Sequence, residues 1–276
     1  MLMSNRVGII AGEGEFPFLV THGVKDSGNE PCIVAIKGHT REEISVVSEN
    51  ILWIHLGQLG KLINFFKKNK VKEIIFAGAI NKPRALNVRP DFRAAKLLLR
   101  VKSYSDNVLL EAVVDELLRE GFSVIPPTKY VPALQTPKGV LTKKKPNKKE
   151  IESIKYGWPI AKKLGEMDIG QTIVVKDKMV VAVEAMEGTN DTILRAGTLV
   201  KGGLIVIKVF KPNQSPVVDQ PSIGVKTIEV MKQAGASTLV IEAERSLFFE
   251  REKAISLANE FGIAIVGILE GPEELD

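Results

Sequence analysis

Five consecutive residues, Glu187-Gly188-Thr189-Asn190-Asp191, offer two carboxylates, a hydroxyl and an amide directly after the apolar run Val180 to Met186. A second apolar run, Leu204 to Val209, leads into Lys211-Pro212 and then Asp219-Gln220-Pro221-Ser222-Ile223-Gly224. Carboxylates suit a hard cation or the orientation of a water, as phosphoanhydride hydrolysis requires. Runs of this length read as strands, and strands that empty into polar, glycine-containing turns gather those turns at one edge of a sheet, where α/β proteins bind ligands. Each residue also has an ordinary reading. Thr189, Asn190 and Asp191 are good helix N-cap types, and Asp-x-Pro and Pro-Ser are turn chemistry. The convergence of Glu187, Asp191 and Asp219 is what points to chemistry.

An earlier stretch offers a second place for an anion. Val7 to Ala11 is a short apolar run, Gly12-Glu13-Gly14-Glu15-Phe16-Pro17 follows, and Phe18 to Lys25 reads as a helix. In such a turn the glycines let the backbone approach a ligand, and the helix N-terminus presents N–H groups and a positive dipole end. A dinucleotide fold would place a third small residue where Pro17 stands and an acid after the second strand. Here the second strand, Cys32 to Ile36, is followed by Lys37 and Gly38, which puts a mononucleotide or nucleotide sugar ahead of NAD. Glu73 to Ala77 ends in Gly78-Ala79-Ile80-Asn81-Lys82-Pro83-Arg84. Asn81, Lys82 and Arg84 there offer donors and charge to a phosphate, or equally make a solvated basic turn.

These segments need a scaffold, and the alternation of apolar runs with helical stretches supplies one. From Val7 to Pro127 it predicts an α/β domain with a parallel, Rossmann-like sheet and helices on both faces. Ile151 to Leu164 predicts a helix, and Asp177-Lys178 is short enough to join Thr172 to Lys176 to the next strand as a hairpin. Helices and strands then alternate to Ala264–Ile268, so the C-terminal half is an α/β domain with a mixed sheet. The expected division is a nucleotide-sugar-binding domain over residues 1–130, a basic linker over 131–150 and a catalytic domain over 151–276. The linker carries Lys143, Lys144, Lys145, Lys148 and Lys149, which read as solvated charge or as a rest for anionic headgroups.

Composition bounds the rest. A chain of 276 residues can build two cores, and its hydrophobic and charged fractions, 45% and 26%, are those of a globular protein. No apolar run approaches the ~20 residues of a membrane-spanning helix. The N-terminus enters a strand at once, so the reading is no signal peptide and a cytoplasmic location. Cys32 is the single cysteine, which excludes an intrachain disulfide and a thiolate-rich zinc site. The formal charge of +5 and pI near 9.1 attract anions. Nucleic acid is disfavoured, because Tyr130 alone is a poor supply of stacking aromatics beside the basic run. There is no Gly-x-Ser-x-Gly elbow and no Gly-Lys-Ser/Thr loop, and His22, His39 and His55 read as structural or exposed. If the two domains face each other across a cleft, a phosphorylated ligand fits, with Asp219, Glu187 or Asp191 holding a hard cation, magnesium first, or orienting a water.

Several motifs in order resemble one family across nearly the whole chain. They are Ala11-Gly12-x-Gly14-x-Phe16-Pro17, Phe76-Ala77-Gly78 with Lys82-Pro83, Asp168-Ile169-Gly170-Gln171, Val183-Glu184-Ala185-Met186-Glu187-Gly188-Thr189, and Lys211-Pro212 with Asp219-x-Pro221-x-Ile223-Gly224. The set resembles the UDP-2,3-diacylglucosamine diphosphatases of lipid A biosynthesis, the LpxI type. The resemblance implies metal-dependent attack of water on the diphosphate of UDP-2,3-diacylglucosamine, giving UMP and 2,3-diacylglucosamine 1-phosphate. It implies two domains with the substrate between them and Asp219 as the catalytic residue in a metal-linked role; Asp191, from the reading of the residues above, is the second expected metal ligand. Substrate contacts are expected from Gly12, Gly14, Phe16, Pro17, Gly78, Asn81, Lys82, Arg84, Gln171, Glu187, Gly188, Thr189 and Lys211. A substrate in the inner leaflet implies an enzyme peripheral to the inner membrane, and a homodimer is an open assembly state. The chain departs from the family in having Gln220 where leucine is common, and Ser215, Pro216 and Val217 where relatives carry an acid and an arginine. Any phosphate contact made by that arginine is either absent here or supplied from elsewhere, by Lys211 or Arg195.

Overall fold

The structure, a computed structural model, describes residues 5–80, 89–101, 106–212, 215, 217, 218 and 220–275. Of two compact units, the first takes the described residues up to Ala133 together with Ser215, Val217 and Val218, and the second takes the other described residues from Leu134 on. In the first unit β1 (Arg6–Ala11), β2 (Glu30–Ile36), β3 (Ile51–Ile54), β4 (Glu73–Ala77) and β5 (Ser123–Val124) form an all-parallel sheet in the order β3-β2-β1-β4-β5. The strands read as continuous apolar runs because both of their faces are covered. Val7, Ile9 and Ala11 of β1 pack with Val20 and Val24 of α1 (Phe16–Asp26) and Ile44 of α2 (Ile44–Val47). On the other face Ile10, Val34 and Ile74 meet Leu62, Ile63 and Phe66 of α3 (Leu59–Lys68), with Ala94 of α4 (Phe92–Leu98) and Leu117 of α5 (Asp106–Arg119). The expected Rossmann-like layering is observed.

The second unit is built on a six-stranded mixed sheet. Its strands are β6 (Gly139–Val140), β7 (Thr172–Lys176), β8 (Met179–Val183), β9 (Leu204–Lys208), β11 (Ala236–Glu242) and β13 (Ala264–Ile268), in the order β6-β13-β11-β9-β7-β8. A separate parallel pair joins β10 (Ser222–Ile223) to β12 (Leu247–Phe248). On one face α6 (Lys148–Glu166) packs Ile154, Trp158 and Ala161 on Ile173, Ile207 and Val240. On the other face α7 (Thr189–Leu199), α8 (Val225–Ala234) and α9 (Arg251–Phe261) bring Ile193, Met231 and Ala254 against Val174, Val206 and Leu239. Asp177 and Lys178 both take positive φ, 47° and 57°, and close the expected β7–β8 hairpin.

The segment expected as a basic linker is instead largely integral to this second unit. β6 lies antiparallel on β13, and the Lys143 backbone N–H donates to Asn259. Lys144 reaches the Ser237 carbonyl and pairs with Glu150. α6 starts at Lys148, three residues before the apolar periodicity sets in, because Asn147 and Glu150 form a capping box. A cap is a short-range polar signal that a lysine-rich composition conceals.

Candidate functional site

β8 and β9 run in the same direction, with β7 antiparallel between them. Glu184, just past β8, Lys208, at the end of β9, and Thr172, at the start of β7, therefore meet at one sheet edge. Thr172 and Lys208 stand opposite in register, so their side chains share a face. The polar turns sought in the sequence leave from this edge. The Glu187-Gly188-Thr189 turn enters α7, and the chain after β9 returns as β10 and enters α8.

A cleft of about 610 Å³ lies there, lined by residues 187–191, Lys208, residues 222–227, Phe249 and Glu250. The N-termini of α7 and α8 both open on it. Their caps are Gly188, at φ 83° and ψ 169°, and Gly224, in extended conformation, and neither supplies a side-chain acceptor. First-turn N–H groups without a capping side chain, at the positive end of a helix dipole, form an anion site. The β10–β12 pair fixes the second entry: Leu247 N–H donates to the Pro221 carbonyl and Phe249 N–H to that of Ile223.

Beneath the helix ends lies a buried polar network. Lys208, 6% exposed, donates through Nζ to Thr189 Oγ1 at 3.0 Å and to the Ser222 carbonyl at 2.9 Å. Thr189 Oγ1 donates to Oε1 of Glu184, 7% exposed, at 3.0 Å, and lies 3.2 Å from Thr172 Oγ1. On the rim, the Arg195 guanidinium bonds Glu187 at 2.6 Å and also donates to the Val183 carbonyl. That pairing, with the Glu187 and Ala185 backbone N–H groups, holds the Glu187 carboxyl at about 2. Asp191 stands exposed in the first turn of α7.

Of the expected site residues, the structure brings Glu187, Gly188, Thr189 and Asp191 together on the cleft. Gln171 is at the same edge, its N–H 3.4 Å from Glu184 Oε2 and its side-chain Oε1 buried without a partner among the described residues. Lys211 is committed elsewhere, to Asp168 at 2.8 Å. Neither cation expected to replace the family's arginine is therefore uncommitted. In the first unit Gly12 and Gly78 interlock: Gly12 N–H donates to Ala77 O and Glu13 N–H to Ala79 O, and a Cβ on Gly12 would stand 2.4 Å from Ala79 O. Gly14 is exposed at φ 84°, Phe16 packs on the core, and Pro17 is buried in the first turn of α1. The carboxylates of this loop are paired, Glu13 with His39 and Glu15 with Arg41. Asn81, Lys82, Arg84 and Asp219 lie outside the described residues.

Sequence reasoning passed over Lys208 and Glu184 as functional positions. Each is one charged residue inside a run read as apolar, and that was the available signal, since a charge inside a buried strand needs partners. Among the described residues no three His, Cys, Asp or Glu side chains come together as a metal cage. The residues still fit magnesium, which is commonly bound by one or two carboxylates together with substrate phosphates. Asp191 supplies such a carboxylate on the cleft wall.

Residues 6–134 match the family model described as the LpxI N-terminal domain, and residues 137–266 match the LpxI C-terminal domain. A relative from Caulobacter vibrioides, named UDP-2,3-diacylglucosamine pyrophosphatase LpxI, is 29% identical over 274 residues, covering 95% of this chain and 97% of the relative.

Proposed function

The chain belongs to the LpxI family, carrying both of its domains in order, and from that premise we propose that it is a UDP-2,3-diacylglucosamine pyrophosphatase. Water adds to one phosphorus, the bond from that phosphorus to the bridging oxygen breaks, and UMP and 2,3-diacylglucosamine 1-phosphate leave. The observation that carries this reading is the cleft of the second unit, where two glycine-capped helix N-termini and Lys208 converge. A diphosphate gains negative charge on its bridging oxygen as it is cleaved, and pre-oriented N–H groups and a buried cation stabilise that charge without reorganising.

In this reading the α7 and α8 first turns bind phosphate oxygens, and Asp219 orients the attacking water or holds the cation. Asp191 and Asp219 would hold magnesium or manganese, which shields the diphosphate charge from incoming water. Glu187 keeps Arg195 at the rim, and Gln171 offers its buried Oε1 to a substrate donor. Among the described residues no helix is long and apolar enough to cross a membrane. Exposed Lys143, Lys145, Lys148 and Lys149 then rest on anionic headgroups while the lipid substrate is taken up.

The deciding experiment incubates purified full chain with UDP-2,3-diacylglucosamine and no acceptor, with magnesium or manganese titrated. UMP release is the expected result, and its absence at every metal concentration overturns the reading. Pelleting with anionic vesicles that is unchanged after Lys143, Lys145, Lys148 and Lys149 are replaced by Glu overturns the membrane part alone.

A further inference from the structure

Thr189 belongs to a helix first turn, yet its hydroxyl is turned down into the sheet edge. There it has three neighbours in hydrogen-bonding range: Glu184 Oε1 at 3.0 Å, Lys208 Nζ at 3.0 Å and Thr172 Oγ1 at 3.2 Å. An ammonium has only protons to give and an ionised carboxylate only lone pairs. The Thr189 hydroxyl donates to the carboxylate, which leaves its lone pairs to Lys208 and Thr172. Lys208 in turn spans the two helix entries, because it holds Thr189 at the start of α7 and the Ser222 carbonyl three residues before α8. Further down, α7 and α8 are in backbone contact: a Cβ on Gly197 would stand 2.7 Å from the Ala234 Cα. The two helices are thus pinned at both ends, by packing at one and by Lys208 at the other.

We propose that Glu184, acting through the Thr189 hydroxyl, is a positioning residue that orients the Lys208 ammonium between the two helix N-termini, where Lys208 contacts the diphosphate. This rests on the functional reading above and adds to it two residues in a fixed order. A lysine side chain has four rotatable bonds and loses their rotamer freedom when fixed. Fixing it before the substrate arrives moves that cost from binding to folding. The arrangement also fixes polarity: turning the hydroxyl toward Lys208 would place a proton against an ammonium.

The test is a double-mutant cycle in the full chain, with UMP release and thermal unfolding measured for every variant. Lys208→Met should lower kcat about a hundredfold and Glu184→Gln about tenfold, and the double variant should be no slower than Lys208→Met, because Glu184 has nothing left to orient. Thr189→Val should behave as Glu184→Gln does, and Thr189→Ser, which restores the hydroxyl, should recover wild-type kcat within about threefold. A product of the two single effects in the double variant, or a Thr189→Ser variant as slow as Thr189→Val at equal folded fraction, overturns the proposal. If the wild-type chain releases no UMP, the functional reading fails, and the proposal is then decided by calorimetry with inorganic pyrophosphate. Binding at least about tenfold weaker in Lys208→Met and in Thr189→Val, but not in Thr189→Ser, supports it; equal affinities overturn it.

Discussion

The turn after β1 and the turn after β8 carry the same local syntax of strand, glycine and helix, but their glycines meet different demands. Gly12 is buried, and the direction a Cβ would take is filled by the Gly78 and Ala79 carbonyls. Gly188 has nothing within 4 Å of that direction, and its need for glycine is conformational, at φ 83°. The first turn is therefore closed by backbone, with its two acids paired to His39 and Arg41. The second opens on a cleft with its helix N–H groups uncapped by any side chain. A glycine in a βα turn reports either close packing or ligand access, and what stands opposite its missing Cβ tells them apart.

The largest effect expected from this contrast concerns the second unit. On the proposed role of Asp219, Asp219→Ala should bind substrate, unfold at the wild-type temperature and release UMP at least about a thousandfold more slowly. Next come the glycines themselves. Gly12→Ala should cost about 2–3 kcal/mol in urea unfolding, since backbone rather than a flexible side chain must move, with kcat near wild type once folded fraction is accounted for. Gly188→Ala pays for φ alone, about 1–3 kcal/mol, and should also lower kcat by turning first-turn N–H groups from the cleft. Equal behaviour of the two variants in both assays would erase the distinction.

Two smaller effects follow. Asn147→Ala removes the side-chain half of the α6 capping box and should destabilise by about 1 kcal/mol in thermal unfolding, whereas a free linker would show no change. The Glu187 carboxyl, held at about 2 by Arg195, has a folded value below its ordinary 4.5. Its contribution to stability is thus present above about 4.5 and is lost as pH falls toward about 2. Both partners are solvent-accessible, so the effect is screened by salt. Thermal unfolding of Glu187→Gln between pH 2 and 5 at low salt should have a shallower acid limb than wild type, and the difference should shrink at high salt.

Much of the architecture is written in periodicity. Continuous apolar runs such as Ile9-Ile10 and Ile205-Val206-Ile207 belong to strands covered on both faces, and the observed sheets follow from them. The Glu187-Gly188-Thr189 turn and the Ser222-Ile223-Gly224 entry were legible as well, because polar residues and glycine abruptly end an apolar run. Long-range partners were not legible. Nothing local to Lys208 says that it will meet Thr189 at 3.0 Å, nor does anything local to Arg195 say that Glu187 will take it. Likewise Lys211, a plausible phosphate contact by its place in a motif, is drawn to Asp168, 43 positions away. Backbone preference and burial act over a few residues, so the chain alone specified most of its strands, helices and turns, though not β6 or the capped start of α6. Which charges face each other depends on strand order and register, and so it emerged only once the β8-β7-β9 edge was assembled.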